Sequence, residues 1–363
     1  TRAVVDTNAG GLVISNLGAC ALFAAISGSS PATCAARGKM GIPEMRKRGY
    51  PDGVAAGSIA AGGTLGILIP PSVTMIVYGI ATETSIGRLF LVGVIPGLLL
   101  VGLFMAWSLY PTWKSGNAAL LNSRAYTWKE RFEILPRVLL YLAIILGVLY
   151  AMYGGIATPS ETAAVGALMC LIIAMVIYKL WNPRFLWVLL RDSTNESVMI
   201  LFTIAAAGVF SYMLSSLYIT QSIAEWNRTL DVNRWVLMGA VNIFLLIAGF
   251  FLLSAAVILM AAWILLPIIL SAGFDPIWFA VVLTINMEIG LILQPAGLNL
   301  YVINAIANKS CVRTILTGSL PCVVSMVLAI ILPCVFPGLA IWLPDAGRGS
   351  VFEFSRRSFI HSV

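Results

Sequence analysis

Long apolar segments alternate with short polar stretches along most of the chain, a pattern that predicts a series of helices surrounded by membrane lipid. Several of them reach the ~20 residues that a helix needs to cross a bilayer. The predicted segments cover residues 10–45, 54–84, 88–110, 138–153, 162–178, 197–219, 235–270, 277–308 and 314–343. We therefore predict an all-α polytopic membrane protein. Residues 111–137 form a cytoplasmic loop, in which 126–136 is either an amphipathic interfacial helix or a plain linker, and 344–363 form a tail.

Two of these segments contain prolines that prevent an unbroken helix. Pro70 and Pro71 lie between apolar residues, and each proline removes an N–H donor and clashes with the preceding turn. Pro295 occupies the corresponding place near the other end, and the offset in the numbering is 295 − 71 = 224. Further pairs match at an offset of 225, namely Ser85, Arg88, Leu91, Gly93 and Pro96 with Ser310, Arg313, Leu316, Gly318 and Pro321. The sequence therefore predicts two related repeats, residues 1–110 and 138–343, each with a broken transmembrane helix.

A helical hairpin is predicted ahead of each broken helix. The first covers residues 10–45 and turns near Gly28, and its second limb is shorter than a bilayer crossing, so we expect it to be re-entrant. The second covers residues 235–270 and turns near Ser254. Non-helical backbone at such a depth is tolerated only where it is buried in protein or lines a wet cavity, which makes the tips candidate sites.

The composition excludes a soluble globular protein, because 60% of the residues are hydrophobic and only 10% are charged, against about a quarter charged in such proteins. The net charge of +7 does not indicate nucleic-acid binding, since the basic residues cluster between apolar spans, as they do in cytoplasmic loops. Arg46, Lys47 and Arg48 follow the first hairpin, whereas Asp275 and no basic residue follows the second. The two repeats are therefore predicted to be inverted in the membrane.

Catalytic and metal-binding constellations are missing from the sequence. The only histidine is His361, and none of the six cysteines forms a CxxC pair. His-based catalysis is therefore excluded, and neither a disulfide framework nor a transition-metal site is supported. The sequence also has no P-loop pattern for ATP. We predict a protein that is not an enzyme and has neither a cofactor nor a transition metal.

Transport chemistry is predicted at the hairpin tips and helix breaks. A sodium ion needs several oxygens, which an apolar interior supplies only where helices unwind, and an anionic substrate is expected at the helix N-termini nearby. The candidate sodium- and substrate-binding residues are Ser27, Gly28, Ser29, Ser30, Thr33, Thr64, Gly66, Pro70, Pro71, Ser72, Ser254, Asn286, Glu288, Gly290, Pro295, Gly297 and Asn299. For each hydroxyl, an intrahelical bond to a carbonyl is an equal alternative. For Glu288 the alternative is a structural hydrogen bond.

Six motifs carry a resemblance to a known family. They are SGSS at 27–30, IPEMRKRGY at 42–50, GTLGILIPPS at 63–72, TPSE at 158–161, NMEIGL at 286–291 and PAGLNL at 295–300. In these motifs the chain closely resembles the large membrane subunit of TRAP transporters, the tripartite ATP-independent periplasmic family. The resemblance covers roughly residues 10–344 in order.

The resemblance implies an elevator-type, sodium-driven importer in the cytoplasmic (inner) membrane of a bacterium or archaeon. It also implies two protein partners, which are a small TRAP membrane subunit and an extracytoplasmic substrate-binding protein. The implied substrates are small organic acids such as C4-dicarboxylates, keto acids or sialic acids, and ATP is not used.

Three departures from the family pattern bear on these expectations. Gln294 replaces the first proline of the second pair, which predicts a milder break there. Leu253-Ser254 replaces an Asp-Gly at the second tip, and the family has further membrane segments ahead of Thr1. Two alternatives therefore stay open. One is an inverted-repeat carboxylate transporter that works without a binding protein, and the other is a truncated, inactive membrane scaffold.

Overall fold

The computed structural model describes residues 11–114 and 128–344, except for residues 155, 178, 220–221, 223–224, 226–232, 253, 296 and 308–310. Every regular element within these described residues is a helix. The helices are α1 (Gly11–Ser27), α2 (Ser30–Lys47), α3 (Asp52–Leu68), α4 (Val73–Thr82), α5 (Ile86–Lys114), α6 (Trp128–Tyr153), α7 (Pro159–Val176), α8 (Pro183–Ser216), α9 (Arg234–Phe251), α10 (Ser254–Ser271), α11 (Pro276–Ile292), α12 (Leu298–Ala307) and α13 (Val312–Val335). Among the described residues, seven helical segments are long and apolar enough to cross a membrane. The prediction of an all-helical polytopic membrane protein is confirmed, while the predicted tail after residue 344 lies outside the described residues.

The helix bounds repeat between the two halves of the chain. The starts of α10 and α2 differ by 254 − 30 = 224, and the starts of α11 and α3 differ by 276 − 52 = 224. Beyond the breaks the offset changes, because the starts of α12 and α4 differ by 298 − 73 = 225 and their ends by 307 − 82 = 225. The additional residue therefore lies inside the second break, at the place where the motif pairs change their offset.

The second break, between α11 and α12, is no milder than the first. It spans residues 293–297, whereas the first spans 69–72. Leu293 already has an extended backbone with φ −87° and ψ 152°, and Pro295 has no N–H with which a helix could continue. The milder break predicted from Gln294 is therefore wrong, because one proline after an extended residue is enough to end the helix.

The first hairpin consists of α1 and α2, and the second of α9 and α10. Each packs against both broken helices, which are α3–α4 and α11–α12. α2 contacts α3 in its own repeat and α12 in the other, and α10 correspondingly contacts α11 and α4. Arg46 of α2 donates to the Ala307 carbonyl at the end of α12 at 2.7 Å and pairs with Asp52 of α3 at 2.8 Å. Tyr78 of α4 donates to the Pro276 carbonyl at the start of α11 at 2.7 Å. Hydrogen bonds thus connect the repeats at helix ends. The Ala307 carbonyl, at the C-terminal end of α12, is one of the groups that lack a partner within their own helix.

The helix α6 is longer than the sequence predicted. It runs without interruption over Trp128–Tyr153. The predicted interfacial segment 126–136 and the predicted span 138–153 therefore share one helix, apart from residues 126–127, which lie outside the described residues.

The helix α8 also begins earlier than predicted, at Pro183 instead of residue 197. The Asn182 side chain accepts a hydrogen bond from the Arg184 N–H at 3.0 Å and so caps the helix. Asparagine at the cap followed by proline at the first helical position is a strong start signal. Residues 183–196, which were predicted to precede the span 197–219, are consequently part of the helix.

The inverted orientation of the two repeats stays a prediction, and so does the re-entrant course of the hairpins. The orientation can be tested at the hairpin ends. Lys47 at the end of α2 and Ser271 at the end of α10 are repeat counterparts, since 271 − 47 = 224. We expect Lys47→Cys to react with an impermeant thiol reagent only from the cytoplasmic side and Ser271→Cys only from outside, following the loop charges. The exposed Cys170 and Cys311 are first replaced by serine. Reaction of both positions from one side contradicts the inverted repeat.

Candidate functional site

A cavity of ≈ 630 Å³ lies where the two hairpin tips, the two helix breaks and α8 meet. The first tip contributes residues 27–32, and the second contributes Ser254 and Ala255. Ile67 and Leu291 line it from the ends of the broken helices' first halves. Its volume is in the range of small-molecule sites, about 300–1,000 Å³. The cavity therefore has the size and the position of a site for a small solute.

Four helices begin at this cavity. Their first residues, which line it, are Ser30 of α2, Val73 of α4, Ser254 of α10 and Leu298 of α12. Each helix N-terminus presents N–H groups without intrahelical partners and the equivalent of roughly half a positive charge. No Lys or Arg is among the described residues that line the cavity. Backbone dipoles thus favour an anion at these helix N-termini, while Glu196 is the acidic side chain among the described residues that line the cavity.

The first hairpin tip is held in a fixed shape against the first break. The Ser27 hydroxyl lies 2.9 Å from the Thr33 hydroxyl, which donates to the Ser29 carbonyl at 2.8 Å. Gly28 has a φ of +58°, and a Cβ there would lie 2.8 Å from the Pro71 carbonyl oxygen. Only glycine tolerates both the left-handed backbone and this contact. The tip and the break therefore meet backbone to backbone.

A glycine at the same repeat position in each broken helix allows close approach of a hairpin. A Cβ at Gly66 would lie 2.8 Å from the Ser29 carbonyl oxygen. A Cβ at Gly290, its counterpart at 290 − 66 = 224, would lie 2.6 Å from the Gly249 carbonyl oxygen. Both predicted site glycines thus position hairpins, and neither is among the residues that line the cavity.

A buried polar cluster joins the two repeats beside the cavity. The Ser30 hydroxyl donates to Glu288 Oε2 at 3.1 Å and accepts from Asn299 Nδ2 at 2.8 Å. All three residues are at most 1% exposed. Within the described part of the chain, Glu288 Oε1 and Asn299 Oδ1 are buried without a hydrogen-bond partner. Such oxygens fit a cation, since a buried acceptor without a donor is otherwise costly.

The repeat counterparts of this cluster are uncharged. Ser254, Thr64 and Thr74 occupy the positions that correspond to Ser30, Glu288 and Asn299. The Thr64 hydroxyl donates to the Ala61 carbonyl in its own helix at 2.6 Å, which is the intrahelical alternative considered for it. The cluster with an ionisable side chain therefore lies where the first hairpin contacts the second broken helix.

The other predicted site residues lie around the breaks. Pro70, Pro71, Pro295 and Gly297 lie within the two breaks. The Ser72 hydroxyl accepts from the Met75 N–H at 3.3 Å and so caps α4. Asn286 donates to Asn242 Oδ1 of α9 at 2.8 Å, and the structure does not bring it to the Glu288 cluster.

Sequence reasoning missed the contribution of α8 to the cavity. Ser193, Glu196 and Ser197 line it from one face of that helix, with the spacing i, i+3, i+4. This spacing of polar residues is visible in the sequence. Because the span was predicted to begin at residue 197, Ser193 and Glu196 were not placed on a helix and their spacing was not interpreted.

Comparison with known proteins identifies the family. The family described as "Tripartite ATP-independent periplasmic transporter, DctM component" matches residues 2–339. The C4-dicarboxylate TRAP transporter large permease protein DctM of Pseudomonas aeruginosa is 40% identical over 337 residues, which cover 93% of this chain and 78% of that protein.

More distant relatives have other solutes in their names. The sialic acid TRAP transporter large permease protein SiaM of Vibrio cholerae is 31% identical, with 96% of this chain and 81% of that protein covered. The isethionate TRAP transporter permease protein DctMQ of Oleidesulfovibrio alaskensis is 32% identical, with 92% of this chain and 52% of that protein covered. The chain therefore belongs to the DctM family of large permease subunits of tripartite ATP-independent periplasmic transporters.

Proposed function

We propose that this chain is the permease subunit of a sodium-driven importer of small organic acids in the cytoplasmic (inner) membrane. The observation that carries the proposal is the convergence of four helix N-termini on one cavity between the hairpin tips. The family assignment makes a transporter, and not an enzyme, the context for this cavity.

An acid group is the substrate feature that this cavity favours most. A helix N-terminus stabilises an anion by about 0.3–1 kcal/mol at an exposed position, so four of them contribute on the order of 1–4 kcal/mol. The names of three relatives give C4-dicarboxylate, sialic acid and isethionate as solutes, all of which carry an acid group. A small organic acid is therefore the substrate class proposed here.

Sodium is proposed to bind at the Ser30, Glu288 and Asn299 cluster. Its unpartnered oxygens, Glu288 Oε1 and Asn299 Oδ1, are the hard ligands that such a cation prefers. Because Ser30 also lines the cavity, a cation in the cluster would order the N-terminus of α2 at the substrate. Sodium binding and substrate binding are then coupled, because the bound cation and the bound anion stabilise the same arrangement of the first tip.

The proposed transporter has two further proteins, a small membrane subunit and an extracytoplasmic substrate-binding protein. The word tripartite in the family description supports this composition. Hairpins that pack on both broken helices suit an elevator movement of the tips and breaks as one body. A carrier without a binding protein and an inactive scaffold have no comparable support.

Sodium dependence tests the proposal directly. In proteoliposomes that contain the chain and its two partners, we expect uptake of a radiolabelled organic acid to require an inward sodium gradient and no ATP. Replacing external sodium by potassium at equal ionic strength is the control, because it keeps electrostatic screening constant. Undiminished uptake in potassium contradicts the proposal.

A further inference from the structure

One wall of the cavity differs in charge from the rest. Ser193, Glu196, Ser197 and Ile200 of α8 line it with the spacing i, i+3, i+4, i+7, which places them on one helix face. Glu196 is exposed, and it is the only charged side chain among the described residues that line the cavity. The four helix N-termini belong to the other helices that line the cavity, α2, α4, α10 and α12. The cavity thus has a positive pole built from backbone and a negative pole built from one carboxylate.

A solute in this cavity meets both poles. Its acid group is stabilised by the helix N-termini, whereas a second acid group on the α8 side is repelled by Glu196. An ammonium group on that side is attracted by the Glu196 carboxylate and can donate hydrogen bonds to it and to the Ser193 and Ser197 hydroxyls. No lysine or arginine among the described lining residues neutralises Glu196.

We propose that Glu196 is a specificity-determining residue, which selects solutes with one carboxylate and one cationic group over dicarboxylates of the same length. This inference rests on the anion site proposed above and names its preferred substrate class. The relevant chemistry is a small zwitterion whose carboxylate faces the tips and whose ammonium group faces α8.

Direct binding to the purified chain in lipid nanodiscs tests the inference. The probes are γ-aminobutyrate, succinate and butyrate at pH 7.5 in sodium chloride, because they share four carbons and differ only in the group at one end. We expect the wild type to bind γ-aminobutyrate more tightly than succinate. In Glu196→Gln the ratio of the two affinities should fall by about tenfold or more, since one charge interaction is lost for each probe with opposite sign.

Asp192→Asn is the matched control. Asp192 is an exposed acid one turn away on the same helix, and it does not line the cavity. We expect its affinity ratio to equal that of the wild type. An unchanged ratio in Glu196→Gln, or tighter wild-type binding of succinate than of γ-aminobutyrate, overturns the role of Glu196 while butyrate binding still supports the anion site. Failure of all three probes to bind overturns both the anion site and this inference.

Discussion

Ser30→Ala is expected to weaken the apparent sodium affinity of transport about five- to 150-fold, which corresponds to a loss of about 1–3 kcal/mol. The Ser30 hydroxyl donates to Glu288 Oε2 and accepts from Asn299 Nδ2. Its removal takes this donor from the Glu288 carboxylate in a place where no bulk water reaches it, since all three residues are buried. The cluster then loses both an oxygen ligand and the contact that orients the carboxylate.

The control for this prediction is Ser254→Ala. Ser254 is the repeat counterpart of Ser30, because 254 − 30 = 224, and it begins α10 as Ser30 begins α2. The counterparts of Glu288 and Asn299 are the uncharged residues Thr64 and Thr74, so we expect a smaller change in sodium affinity. Uptake is measured as a function of sodium concentration for the wild type and both variants. A larger effect of Ser254→Ala would show that the sodium ion does not bind at the Ser30, Glu288 and Asn299 cluster.

Gly66→Ala is expected to reduce the rate of uptake at least tenfold, the second large effect. The added methyl group would lie 2.8 Å from the Ser29 carbonyl oxygen and 2.9 Å from its carbonyl carbon. These are backbone atoms, so no side-chain rotation relieves the contact, and overpacking of this kind costs about 1–3 kcal/mol. The first tip must move away from the break, which displaces the N-terminus of α2 from the cavity.

Gly102→Ala controls for the general effect of alanine in a membrane helix. Gly102 lies in α5, and nothing is within 4 Å of a Cβ at that position. We expect uptake by this variant to match the wild type, because alanine is a better helix former than glycine. Purified Gly66→Ala protein that is folded but inactive supports the contact, whereas uptake equal to that of Gly102→Ala refutes its importance.

The breaks and the repeat could be predicted because their causes are local. A proline in a helix removes a hydrogen bond and kinks or breaks the helix. Pro71 and Pro295 mark the breaks from the sequence because they recur at the same repeat position, whereas Pro43, Pro267, Pro321 and Pro333 lie inside helices. The offset of 224 between Pro71 and Pro295 recurs in the helix bounds on their N-terminal side, as at Ser30 and Ser254. The small and polar residues of the tips predicted a site there, and both tips line one cavity. The binding roles of these residues stay predictions.

Contacts between distant residues could not be predicted in the same way. Ser30 and Glu288 are 258 positions apart, and only the packing of α2 on the second broken helix brings them together. Asn286 is two residues from Glu288 but faces α9, because a step of two residues turns a helix by about 200°. The start of α8 was predicted at residue 197, because Arg184 and Arg191 indicated a basic loop before it. The Asn182 cap and Pro183 instead begin the helix at residue 183.

The packing of each hairpin on both broken helices couples the two repeats mechanically. Arg46 of the first repeat is bonded to the Ala307 carbonyl of the second, and Tyr78 is bonded to the Pro276 carbonyl. Because each hairpin contacts both halves of the chain, a displacement of one hairpin acts on the broken helices of both repeats. The two repeats are chemically unequal, since Thr64 stands at the repeat position of Glu288, but they are not mechanically independent.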